Sequence, residues 1–332
     1  MISSVLDTVL DRTVVVGYTT LGYRLRKRSW RADDLRSMAG QVVLVTGATS
    51  GLGLAAAEGF ARLGACVWLL ARDPQRGEQA RARIADRSGS GEVNVGLCDL
   101  SDLASVRQFA ASFGTQVPRL DVLVNNAGVL ASQRSLSVDG IELTFATNVV
   151  GPFLLTNLLI GLLQRSAPSR IINVSSGGMY TQRIRVDDLQ TAIGQYDGAT
   201  AYARAKRAQV MLTELWAERL RGTGVVVHAM HPGWADTPGV RASLPRFYQL
   251  TKPFLRTPEE GADTILWLGA AAEPGESSGG FWHDRVRRPT HLLPRTRETT
   301  VDREQLWAEC VRLSGWAGES SPEPQRTSET TR

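Results

Sequence analysis

The run Gly47-Ala48-Thr49-Ser50-Gly51-Leu52-Gly53 lies between a β-branched stretch, QVVLVT, and an alanine-rich one. Strand, glycine loop and helix in that order suit a dinucleotide. Glycines let the backbone turn sharply and approach a pyrophosphate, and the helix N-terminus offers it unpaired N–H groups and a partial positive charge. A tight turn alone would use the same glycines, so the place of the loop, after the first strand of a βα series, is what favours a cofactor. The next strand candidate ends at Arg72, where an NAD-specific chain would carry an acidic residue for the ribose 2′-hydroxyl. Arginine suits a 2′-phosphate instead, with the Ser50 hydroxyl as a second donor, so NADP(H) is expected in preference to NAD(H). Asp73 alongside argues the other way, and a plain surface arginine is the bland reading. Two later strand candidates end in Cys98-Asp99-Leu100 and Asn125-Asn126-Ala127-Gly128, at carboxyl ends, where open α/β sheets bind ligands. Asp99 is suited to accept from an adenine amino group, or to cap a helix in competition with Ser101 and Asp102.

These residues need a scaffold, and the periodicity supplies one. QVVLVT, ACVWLLA, VNVGLCD, LDVLVNN, RIINVSS and GVVVHAM, with a last candidate at GGFWHD, alternate with amphipathic stretches near 52–63, 75–87, 102–114, 139–165, 200–221 and 258–271. The expectation is an α/β, Rossmann-type, doubly wound parallel seven-stranded sheet with helices on both faces. One domain is expected over 40–293, without internal repeats. An N-terminal extension (1–39) precedes it. A C-terminal helical extension (294–316) follows, then a Ser-, Pro-, Glu- and Thr-rich tail (317–332) expected to be disordered.

Composition narrows the partners. The 332 residues carry a net charge of +5 and a pI of 9.4. The basic residues are densest at 24–31 and 285–288 and lack an ordered interleaving of stacking aromatics, so no nucleic-acid partner is expected. Cys66, Cys98 and Cys310 are too few and too far apart for a disulfide framework, which fits a reducing, cytoplasmic setting. His228, His231, His283 and His291 show no metal-ligand spacing, so no catalytic metal is expected. Residues 14–23 are mainly apolar, but Asp7, Asp11 and Arg12 keep the run short of the about 20 residues a membrane span requires. Residues 1–31 then read either as a peripheral membrane anchor, with YRLRKRSWR towards anionic lipid, or as an arm packed on its own domain or on a partner subunit.

TGATSGLG, NNAG, Asn148-Val149-Val150-Gly151, NVSS and Tyr202-Ala203-Arg204-Ala205-Lys206, in that order, together resemble the short-chain dehydrogenase/reductase family over about residues 40–290. The long stretch from Ser176 to Tyr202, with Asp187-Asp188-Leu189, is similar to the family's retinol-dehydrogenase-like branch. The resemblance implies hydride transfer between NADP(H) and a carbonyl or alcohol, with Asn148, Ser176, Tyr202 and Lys206 as catalytic tetrad. Under it, Tyr202 is the general acid/base. Lys206, four residues on and on the same helix face, favours the phenolate and holds ribose hydroxyls. Ser176 donates to the substrate oxygen while Ser175 serves the backbone, and Asn148 holds a water in the proton path. Pro232 and Gly233 turn beneath the nicotinamide, and Thr237 bonds its carboxamide. The expected cofactor set is Gly47, Ser50, Gly51, Leu52, Gly53, Arg72, Asp99, Leu100, Asn126, Ala127, Gly128, Tyr202, Lys206, Pro232, Gly233 and Thr237. Residues 238–257 would form a lid whose Leu, Phe, Tyr and Arg content admits a fairly apolar small molecule. Homodimers or homotetramers through the two longest helices are implied as well. The chain departs from many relatives at Ala205, where they carry serine.

Two other function classes stay open: an NADP-binding regulatory or scaffold protein without turnover, and a lyase or epimerase on the same fold. The GESSG at 275–279 matches a nucleophile-elbow pattern but lacks the strand before it and the helix after it. The Asn173-Val174-Ser175 sequon falls in a central strand candidate, out of reach of glycosylation.

Overall fold

Among the described residues two short helices, α1 (Val14–Gly17) and α2 (Thr20–Lys27), precede the first strand, β1 (Val42–Thr46). Helices and strands then alternate: α3 (Gly51–Arg62), β2 (Cys66–Ala71), α4 (Pro74–Ser88), β3 (Val93–Leu97), α5 (Leu103–Gln116), β4 (Val122–Asn125), α6 (Leu143–Arg165), β5 (Ser169–Val174), α7 (Gly198–Arg219) and β6 (Val225–Met230). Two small helices, α8 (Pro238–Ser243) and α9 (Pro245–Thr251), lead to α10 (Pro258–Ala270), the hairpin of β7 (Gly280–His283) and β8 (Val286–Arg288), and α11 (Thr300–Ser314). The structure is a computed structural model that describes residues 14–31, 34–243 and 245–318. Most of the tail expected to be disordered, from residue 319 on, lies outside those residues, as does the start of the N-terminal extension, residues 1–13.

The strand order is β3-β2-β1-β4-β5-β6-β7-β8. Pairing is parallel as far as β7, and β8 runs antiparallel to it, so the sheet has eight strands and not the expected seven. The additional strand is three residues, VRR, joined to β7 by Asp284 and Arg285 at φ 51° and 61°. A two-residue hairpin whose twist matches its strands needs positive φ at both central positions, and here neither position is the glycine that would announce it.

Side chains alternate across the sheet into two cores. Val42 and Leu44 of β1 join Leu123 and Ile171 on one side, whereas Val43 and Val45 join Val122, Val124 and Ile172 on the other. Burial of both faces explains why these strands read as continuous apolar runs. Local signals set the helix ends. Asp73 accepts a hydrogen bond from Arg76 N at 3.0 Å to cap α4, with a proline in the first turn and Gly89 in the left-handed conformation after its last residue. Thr257 and Glu260 form a capping box at α10. Helix α6 is long and apolar enough to cross a membrane by length and composition, but 78% of its most apolar window is buried inside the protein. It is a core helix, interrupted by a π-helical turn at Ala146–Val150. Helix α11 lies against α6 and α7, with the Trp307 ring 5.0 Å from Phe153 and 6.2 Å from Trp216, so the face expected to pair with another copy carries the chain's own C-terminal helix.

The N-terminal segment packs on its own domain. Tyr18, Thr19, Tyr23 and Arg26 are buried, and the Arg26 guanidinium, 2% exposed, pairs with Asp284 at 2.8 Å. The reading of YRLRKRSWR as a polar face towards lipid therefore fails for Tyr23 and Arg26, whereas Arg24, Lys27 and Arg28 do face outward.

Candidate active site

The chain reverses its direction of travel through the sheet between β1 and β4, and the crevice of an open α/β sheet lies at the carboxyl ends beside such a point. The glycine loop after β1 and the NNAG after β4 flank it. Gly47 and Gly51 have φ of 63° and 54°, which favours glycine. A Cβ on Gly53 would stand 2.4 Å from both the Asn126 Nδ2 and the Gly47 carbonyl oxygen. Asn126 Nδ2 donates to the Thr46 carbonyl at 2.8 Å, and the Asn126 and Ala127 N–H groups both donate to Thr46 Oγ1 at 2.9 Å. The Asn126 side chain therefore fastens the glycine loop, leaving backbone to line the crevice. Ser50 precedes α3 without a side-chain capping bond, so its hydroxyl is not spent on the helix. The Thr237 side chain lies 3.3 Å from where a Gly51 Cβ would be, which brings the segment after β6 to the glycine loop. Leu52, by contrast, turns its side chain towards Gly261.

Arg72 is exposed at the carboxyl end of β2 and makes no ion pair among the described residues. The competing carboxylate, Asp73, is occupied in capping α4. Asp99 Oδ1 accepts from Ser101 N and Oγ at 2.9 and 2.7 Å, and Asp102 does the capping of α5. The Leu100 side chain is in the core, so only its backbone can meet a ligand.

Three elements bring the four tetrad candidates together. Tyr202 and Lys206 sit one turn apart on α7, with Lys206 Nζ 5.4 Å from the Tyr202 ring centre. Ser176 follows β5, and its hydroxyl accepts from Gly178 N at 3.2 Å. A hydrogen bond with Ser176 pulls the Tyr202 phenol down, but burial dominates and pushes it up to about 12. Burial brings Lys206 down to about 7, although its ammonium donates to the Val174 carbonyl at 2.8 Å and to Gln209 Oε1 at 3.0 Å. Ser175 is spent on the backbone, donating to the Lys206 carbonyl at 2.8 Å. Asn148 falls in the π turn of α6, a local widening often found at functional sites. Its side chain is bound on both sides to Val129, accepting from N at 2.8 Å and donating to O at 2.9 Å. A Cβ on Gly128 would lie 3.3 Å from both Asn148 Oδ1 and Lys206 Nζ, so Gly128 leaves the space in which those groups approach each other.

Gln209 escaped sequence reasoning. Its Oε1 accepts from Lys206, and its Nε2 donates to the Asn148 carbonyl at 2.8 Å, so one amide joins two tetrad candidates. The available signal was its place three residues after Lys206, on the same helix face.

The family model for short chain dehydrogenases matches residues 41–246. The chain belongs to the short-chain dehydrogenase family. Membership places it among oxidoreductases built on a Rossmann nucleotide-binding sheet. The chain is 42% identical to dehydrogenase/reductase SDR family member 12 of Bos taurus, over 87% of this chain and 91% of that one. It is 40% identical to retinol dehydrogenase 12 of Bos taurus, over 83% and 87%. Among solved structures, the NADP active-site complex of RhlG from Pseudomonas aeruginosa is 30% identical with a TM-score of 0.61, covering 74% of this chain and 94% of that one. The matches to both Bos taurus relatives exceed the family model in extent, so the similarity of this short-chain dehydrogenase to them reaches beyond the shared sheet.

Proposed function

We propose that this short-chain dehydrogenase interconverts a fairly apolar ketone or aldehyde with its alcohol, using NADP(H), with Tyr202 as the group that moves the proton. The observation that carries the reading is the convergence of Tyr202, Ser176 and Lys206 at the carboxyl end of β5, beside the glycine loop and Gly128. A phenol at about 12 is neutral at physiological pH, and so is loaded to protonate an alkoxide as it forms. Ser176 donates to the same oxygen. Lys206, at about 7, readily regains its proton when a phenolate forms next to it, and its charge then lowers the cost of the reverse, oxidative step. Gln209 and the Val174 carbonyl hold the ammonium in place. When bound, the nicotinamide supplies or accepts the hydride.

The residues present fit that cofactor. A loop that turns sharply on Gly47 and Gly51 at positive φ, an uncommitted Ser50 hydroxyl and an exposed arginine at the end of β2 supply the backbone turn and the donors that a pyrophosphate and a 2′-phosphate require. Engagement of Asp73 Oδ1 in its helix cap turns that oxygen towards its own helix and supports NADP(H) over NAD(H). The lid supports an apolar substrate. The Phe247 ring stands edge-on to Trp234 at 5.1 Å, and Leu250 and Phe254 of the same segment are exposed. Retinol, in the name of one relative, is an alcohol of that kind.

Fluorescence titration with NADPH and NADH, followed by NADPH oxidation against a panel of ketones, aldehydes and retinoids, tests the proposal. Tighter binding of NADPH and turnover on at least one carbonyl are expected. Binding without any turnover would transfer the site to a regulatory role, and no binding of either nucleotide would refute the reading.

A further inference from the structure

Residues 17–26 lie far in the chain from Ser176, Tyr202 and Lys206, yet they reach the turns after β5 and β6. The Tyr18 ring packs on Gly177, the residue after Ser176: a Cβ at Gly177 would stand 2.5 Å from Tyr18 Cε2. The same ring lies 4.6 Å from His231 and edge-on to Trp234 at 6.2 Å, centre to centre. The Tyr18 carbonyl accepts from Trp234 N at 2.8 Å and from Arg256 Nε at 3.0 Å. Between these contacts runs Pro232-Gly233, expected to turn beneath the nicotinamide. Gly233 has φ 74°, and a Cβ there would meet Arg256 Nε at 2.6 Å and the Tyr18 carbonyl at 2.7 Å.

A buried charge cluster ties this arm down. Asp284, 1% exposed, receives Arg26 Nη1 at 2.8 Å and Arg256 Nη1 at 2.6 Å, while Arg256 Nη2 donates to the Gly17 carbonyl at 2.8 Å. Its burial and mutual pairing make the cluster costly to rearrange, so the position of Tyr18 is fixed by something stiffer than its own contacts.

We propose that Tyr18 is a positioning residue for the nicotinamide half of the site. Its ring sets the turn that presents Ser176, and its carbonyl sets the turn at Gly233. The N-terminal segment thus completes a catalytic end whose residues it does not supply. The inference rests on the reading of the site as NADP(H)-binding.

The test measures binding of NADP⁺ and of 2′-phospho-ADP-ribose, which lacks the nicotinamide, to the full chain by calorimetry. Tyr18→Leu should weaken NADP⁺ by about tenfold, while the truncated ligand binds as it does to the wild type. Tyr18→Phe, which keeps the ring, should restore NADP⁺ binding. Gly177→Ala drives a methyl into the ring and should reproduce the selective loss, and adding Tyr18→Leu to it should cost little more, because both act on one contact. Equal weakening of both ligands by Tyr18→Leu, no weakening of either, or additive losses in the double variant would each overturn the proposal. If the wild type binds the truncated ligand but gains nothing from the nicotinamide, Tyr18 has nothing to position and the proposal falls alone. If it binds neither ligand, the NADP(H) reading falls and this inference with it.

Discussion

The two halves of the crevice are built differently. On the side proposed to hold the adenosine the relevant groups are neighbours in sequence: the loop from Gly47 to Gly53 turns on its own glycines, Arg72 makes no ion pair among the described residues, and Asp73, the next residue, caps a helix. On the side proposed for catalysis many contacts join distant segments: Lys206 to Val174, Gln209 to Asn148, Trp234 to Tyr18, and Arg26 and Arg256 to Asp284. On the first side Arg72 and Asp73 are exposed surface groups, so changing them should alter ligand preference at little cost to the fold. The second is buried and shared with the core, so specificity, chemistry and stability are coupled there.

Mutations can break that contrast. The largest stability effect is expected at Asp284→Asn, which leaves two buried guanidinium groups without a carboxylate and should cost about 3–5 kcal/mol, read as a lower denaturant midpoint. A loss below ~1 kcal/mol would mean the cluster does not anchor the arm. Next comes Arg72→Ala, expected to remove about 1.5–3 kcal/mol of NADPH affinity, tenfold or more, with NADH binding and thermal midpoint unchanged. Parallel losses for both nucleotides would contradict the assignment of Arg72 to the 2′-phosphate. The smallest is Asp73→Ala, which deletes a helix cap and should lower stability by about 1 kcal/mol. Because that carboxylate faces its own helix, NADPH affinity should not fall; a sharp fall would show that Asp73 contributes to the nucleotide site.

How much could be read from the sequence follows the same division. The central parallel strands and the helices of the crossover units lie within a few residues of where periodicity placed them, because β-branched runs buried on both faces and capped amphipathic helices are local signals. The eighth strand was not legible: Val286-Arg287-Arg288 is short and basic, and its hairpin turn uses Asp284 and Arg285 at positive φ where glycine or asparagine would have signalled it. Within the site, Gly47 to Gly53, Ser176, Tyr202 and Lys206 are brought to one crevice. Sequence could not tell that the Asn126 side chain holds a loop, that Asn148 sits in a π turn with its amide tied to Val129, or that Gln209 bridges Asn148 and Lys206. Each depends on which remote partner folding delivers. The apolar run and basic stretch of the N-terminal segment favour an arm packed on protein over an interfacial anchor, and the tertiary contacts of Tyr18 and Arg26 agree with the packed arm.

We propose that Tyr202 transfers the proton in a nicotinamide-dependent carbonyl reaction. The most direct test compares the wild type with Tyr202→Phe for NADPH affinity and for single-turnover NADPH oxidation on whichever carbonyl the wild type reduces. Unchanged affinity with a turnover rate lowered by about 10²–10⁴-fold is the predicted result, since only the phenolic proton is removed. Turnover by the phenylalanine variant within a few-fold of wild type would contradict the account and move the proton to another group.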